Sequence, residues 1–95
     1  MRKYECTFII NPEKKEEEAK QIIEEIKGYL EKNKGKVKKI DELGIKELAY
    51  EIDGFNNGFY TVINFEADPE KVNLFKEFMR KNNNILRHIL VVKEK

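Results

Sequence analysis

Each of the two prolines in this 95-residue chain stands where one hydrophobic rhythm ends and another begins. Ahead of Pro12, residues 2–10 alternate. Tyr4, Cys6, Phe8 and Ile10 point one way and Lys3, Glu5, Thr7 and Ile9 the other, the period-two pattern of a strand with one mainly apolar face. Asn11-Pro12 suits a turn into a helix. From about residue 13 to 33, Ala19, Ile22, Ile23, Ile26 and Leu30 recur at helical spacing, Glu and Lys cover the other faces, and Gly35 supplies a stop. The second proline repeats the arrangement. Phe59, Thr61, Ile63 and Phe65 alternate with Tyr60, Val62, Asn64 and Glu66, and then Asp68-Pro69 starts a helix, Asp as cap and Pro in the first turn. Val72, Phe75, Phe78 and Met79 form its buried stripe, and Asn82 to Asn84 end it.

Two extended stretches complete the order. Residues 36–53 alternate with a slip between Ile40, Leu43 and Leu48, which predicts a bend or bulge near Asp41 to Glu47, and the turn "DGFNNG" follows. "ILRHILVVK" closes the chain as a strand. The order β-α-β-β-α-β, with right-handed crossovers, gives a ferredoxin-like α+β fold: a four-stranded antiparallel sheet with both helices on one face. Phe8, Ile26, Leu30, Ile63, Phe75 and Ile89 are expected to meet in its core. Residues 1–95 are read as one domain. The second sheet face has nothing in the chain to cover it, and there the strand phases place Ile9, Tyr60, Val62, Leu90 and Val92. A contiguous apolar patch of that kind marks a protein interface.

Charge narrows the function classes. Nineteen basic side chains against eighteen acidic ones leave a net charge of +1, so nucleic acid is not gripped by bulk charge. Contact with it must be local or shared with a more basic partner. The single cysteine, Cys6, excludes an internal disulfide and a thiolate metal cluster, and its expected role is a buried structural thiol. The chain has no serine, and its one histidine, His88, lies in the last strand without a catalytic companion. A phosphate loop is absent too. Neither an enzyme nor a cofactor site is expected, the amino-terminal run is too short and polar for a signal peptide, and no run is long enough to span a bilayer. The expectation is a cytoplasmic protein.

The stretch "NNGFYTVINF" tests one nucleic-acid reading. Against the RNA-recognition consensus, Gly58, Phe59 and Val62 match, but Asn57, Tyr60, Thr61 and Asn64 depart from it. Phe59 and Phe65 belong to the core face, which leaves Tyr60 as the only stacking ring. This is not a base-stacking platform.

"GIKELAYEI", residues 44–52, carries more information. Gly44, Lys46, Leu48, Ala49, Tyr50 and Ile52 resemble the signature of the bacterial small-subunit ribosomal protein six family, and "MRKYE", "NP", "DELG", "GFY" and "VVK" extend the resemblance over the whole chain. Asp53 departs from it, standing where the family commonly has a basic or small polar residue. The resemblance implies a structural constituent of the small ribosomal subunit that binds ribosomal RNA together with a basic partner, small-subunit ribosomal protein eighteen. Arg2 and Lys46 are the leading RNA-contact candidates, followed by Arg87, His88 and Lys93. As a strand, the same segment needs only a bulge at Gly44 with Leu48, Tyr50 and Ile52 on one face. A ferredoxin-like regulatory or dimerisation module without RNA binding is the alternative reading.

Overall fold

The computed structural model describes residues 1–93. Strand β1 (Arg2–Ile10) leads to helix α1 (Glu16–Lys32), followed by β2 (Lys36–Ile52), β3 (Phe55–Ala67), helix α2 (Pro69–Lys81) and β4 (Ile85–Val92). The four strands form one antiparallel sheet in the order β2-β3-β1-β4. This is the ferredoxin-like arrangement that the two strand-to-helix junctions imply.

Local chemistry sets the boundaries. The Asn11 side chain accepts the Glu13 N–H at 2.8 Å, which holds residues 11–14 in a turn and delays α1 to Glu16. There the Glu18 carboxylate reaches back to accept the Lys15 N–H at 2.8 Å, using a donor the helix would leave unpaired. Lys34, at φ 69°, takes the left-handed position at the end of α1. Pro69 opens α2, but the side chain of Asp68 makes no capping hydrogen bond; its carbonyl oxygen accepts from Lys71 N–H at 2.9 Å.

The turn between β2 and β3 is tighter than "DGFNNG" implies. Only Asp53 (φ 50°) and Gly54 (φ 85°) separate the two strands, with Ile52 opposite Phe55. Two consecutive residues with positive φ make the mirror-image turn that matches strand twist, and Asp-Gly is a preferred sequence for it. The expected bulge in β2 is present as a register shift between Glu42 and Gly44, where Gly44 sits at φ 81°.

The core lies between the sheet and both helices. Phe8, Ile10, Ile63, Phe65, Ile26, Phe75 and Met79 are fully buried there. Tyr4 stacks on Phe65 at 5.6 Å, and Phe65 meets Phe75 edge-on at 5.3 Å. Phe78 is half-buried and stacks on Tyr29 at 4.1 Å, joining α2 to α1 at the rim. Phe59 also packs against this core, on the helix side.

Ile89 is not part of it. The residue is 57% exposed, which corrects the expected core. In the antiparallel register Phe8 faces His88, Cys6 faces Leu90 and Tyr4 faces Val92, so these three β4 residues share the helix-covered side. Ile89 and Val91 stand opposite Thr7 and Glu5 on the other face. β4 is apolar on both sides, and alternation alone cannot choose its phase.

Candidate functional site

The sheet face away from the helices carries the candidate site. β1 contributes Glu5, Thr7 and Ile9, β3 contributes Tyr60, Val62 and Asn64, and β4 contributes Arg87, Ile89 and Val91. The patch predicted from sequence therefore changes in two members. Ile9, Tyr60 and Val62 are on this face, but Leu90 packs against the core and Val92 lies on the helix side; Ile89 and Val91 take their places.

Nor is the face bare, as the sequence pattern implied. The end of the β2–β3 hairpin curls over part of it. Leu48, Tyr50 and Ile52 on the hairpin and Ile9, Tyr60 and Ile89 on the sheet line a largely apolar cleft of about 190 Å³. Ile9 is only 8% exposed as a result. At the far side, Arg87 on β4 donates to the Tyr50 hydroxyl at 2.5 Å, with its guanidinium carbon 5.6 Å from the centre of the tyrosine ring. Tyr50 was singled out in the "GIKELAYEI" signature, and Arg87 as a cationic group on the last strand. The fold brings these two together across β1.

Gly58 explains itself in this setting. A side-chain carbon there would collide with the Ile9 methyl and sit 3.2 Å from the Ile10 carbonyl oxygen. Its glycine serves close packing of β3 on β1 rather than base stacking.

The cationic candidates fall into two groups. Lys46 pairs opposite Gly58 and Arg87 opposite Ile9, near the hairpin end. Arg2 pairs opposite Ala67, and Lys93 donates its N–H to the Lys3 carbonyl at 2.8 Å, at the other end. From Gly58 to Ala67 along β3 is roughly 30 Å at about 3.3 Å per residue. No single phosphate can meet both groups. Lys93 also lies 3.9 Å from Glu5. Beside it a shallow groove of about 220 Å³ gathers Lys3, Lys38 and Lys93 with Asn64 and Glu66. Lys3 and Lys38 were not singled out from sequence; Lys38 sits at the first irregularity of β2, which alternation does not reveal.

His88 is apart from both groups. It is half-buried on the helix side, where burial and then the charge of Lys76 hold its pKa below the usual histidine value. Burial pushes the Cys6 thiol up to about 12, so it is a neutral thiol inside the core. Among the described residues, no group of three His, Cys, Asp or Glu is placed to hold a metal ion, and no helix is long and apolar enough to cross a membrane.

The sequence profile of the family described as Ribosomal protein S6 matches residues 3–92, nearly the whole chain and every element of the sheet. The chain belongs to the ribosomal protein S6 family. It is 43% identical to the small ribosomal subunit protein bS6 of Clostridium novyi over 95 residues, covering 100% of both chains. With the small ribosomal subunit protein bS6 of Shouchella clausii it shares 42% identity over 94 residues, 99% of this chain and 98% of that one. The crystal structure of 30S ribosomal protein S6 from Thermotoga maritima matches it with a TM-score of 0.92 at 38% identity, covering 97% of this chain and 87% of the other. Family membership makes the chain a structural protein of the small ribosomal subunit, cytoplasmic and ribosome-associated, and not an enzyme. The regulatory or dimerisation module gives way to this assignment.

Proposed function

We propose that the chain binds small-subunit ribosomal RNA jointly with small-subunit ribosomal protein eighteen, using its open sheet face for the protein and its cationic ends for the RNA. The observation that carries this reading is the apolar strip of exposed Ile89 and Val91 and half-buried Val62 beside the polar residues Glu5, Thr7 and Asn64. Apolar side chains left to solvent on one face of a monomer suit a protein partner. Phosphate contact then falls to Lys46 and Arg87 at one end and to Arg2, Lys3, Lys38 and Lys93 at the other. His88 is a weak member of the set, because a histidine with a lowered pKa is mostly neutral at pH 7.

A net charge of +1 gives the isolated chain little grip on RNA. A basic partner supplies the missing neutralisation, and one preformed unit presents both sets of contacts. The test is a ribosomal RNA titration with and without the partner, at several salt concentrations. Binding by the chain alone is expected to be weak and to rise by orders of magnitude in the pair. Replacing both Lys46 and Arg87 by Ala should reduce the log–log salt slope of the pair by about 0.7–0.9 per lost phosphate contact. Tight binding by the isolated chain, or an unchanged slope in the double substitution, would contradict the proposal.

A further inference from the structure

The end of the β2–β3 hairpin is held differently from the rest of the sheet. Pairing between the two strands stops at Glu47 opposite Asn57 and resumes only at Ile52 opposite Phe55. The intervening residues of β2 bow over the open face instead of continuing the ladder. Beneath them, the cleft of about 190 Å³ has room for several waters, each taking about 30 Å³ in the liquid. The contact between bow and floor is therefore incomplete.

Two features define how it is held. On the β4 side the Arg87–Tyr50 contact reaches across β1, about two strand spacings or roughly 10 Å from β3. At the base of the hairpin, the ladder shifts register at Gly44, whose positive φ coincides with open surroundings: a side-chain carbon added there would meet nothing within 4 Å. Past this kink the ladder stays paired from Gly44 opposite Tyr60 to Glu47 opposite Asn57, so the free segment begins only beyond Glu47. The floor, by contrast, is rigid, since Gly58 and Ile9 are in tight contact and Ile9 is buried.

We propose that the hairpin end is a hinged cover which turns where pairing stops beyond Glu47 and Asn57, is held shut by Arg87 on Tyr50, and controls access to the apolar floor formed by Ile9 and Tyr60. Tyr50 is itself 58% exposed, so water competes for its hydroxyl and the clasp is weak enough to open. Opening leaves the core untouched, because none of the cover residues belongs to it. The device is a property of the free chain and stands independently of the ribosomal partner reading.

Amide hydrogen exchange on the full chain, without RNA or partner, tests it. Tyr50→Phe removes the acceptor but keeps the ring; Arg87→Ala removes both the hydrogen bond and the cation over the ring. Amides of Ile52 and Phe55, the pair beyond the gap, are expected to exchange about threefold faster in the first variant and about tenfold faster in the second. Amides of Ile63 and Phe65 should keep their wild-type rates. Unchanged exchange around the hairpin in both variants would overturn the proposal. So would an equal acceleration at Ile63 and Phe65, since the contact would then be holding the whole fold and not a cover.

Discussion

The two faces of this sheet differ in what happens when a large side chain is removed from them. Behind the sheet, Phe8, Phe65 and Phe75 are enclosed by α1 and α2, with no solvent able to fill the space they leave. In front, Ile89 and Val91 are exposed, and Val62 is half-buried beside Asn64 and Glu5. Folding energy is thus concentrated on one side. The other side is free to carry apolar groups whose burial is completed by a partner. A protein that works inside an assembly needs both: a core that folds alone, and a surface that finishes burying itself only on docking.

The largest expected contrast comes from truncation on either side. Phe75→Ala should cost about 3–5 kcal/mol in denaturant unfolding, from lost transfer energy and the cavity left behind. Ile89→Ala should stay within about 0.5 kcal/mol of wild type, because its side chain already meets water. A cost at Ile89 similar to that at Phe75 would erase the distinction. Next comes Gly58→Ala, expected to destabilise by about 1–3 kcal/mol by forcing a methyl against Ile9 and the Ile10 carbonyl. Leu90→Ala should cost about 1–2 kcal/mol, less than full burial but well above its neighbour Ile89. That pair sharpens the comparison to adjacent residues of one strand.

The smallest effects concern protons. Cys6, with its thiol held at about 12 inside the core, should resist a thiol-directed reagent at pH 8 in the native chain and react once denaturant unfolds it. His88 has a folded pKa below its unfolded value near 6.5, so the unfolded chain binds the proton more readily. Its share of stability is complete above about pH 6.5 and is lost as pH falls from there through the folded pKa. His88→Gln should flatten the stability profile over that window, as read by unfolding midpoints at a series of pH values. A profile unchanged by the substitution would place the histidine in free solvent.

Where only one face of an element is apolar, its orientation is readable from sequence. β1 shows this: Tyr4, Cys6, Phe8 and Ile10 all reach the core, as their alternation implies. Both helices follow for the same reason, their apolar stripes being bounded by Glu and Lys. β4 is the opposite case. Ile85, Leu86, Ile89, Leu90, Val91 and Val92 are apolar in both phases, so the choice is made by pairing with β1, a tertiary fact. That is why Leu90 and Ile89 exchange places between expectation and structure. The hairpin departs from its sequence pattern for a different reason. Asp53-Gly54 is a complete two-residue turn, and reading Phe55 to Gly58 as loop hid the length of strand available to bow over the sheet. Of the site, the cationic residues and Tyr50 were legible as residue types, while their separation into two ends and the meeting of Arg87 with Tyr50 depend on strand order.

Joint binding to ribosomal RNA through the open face is tested most directly by Val62→Asp. Val62 lies in the middle of that face, half-buried in the free chain, so a carboxylate there remains hydrated and the fold should survive with a near-native unfolding midpoint. Titrated with ribosomal RNA in the presence of ribosomal protein eighteen, the substituted chain is expected to lose the joint binding and retain only the weak affinity of the chain alone. Full joint affinity with Asp at this position, in a chain shown to be folded, would contradict the role assigned to the open face.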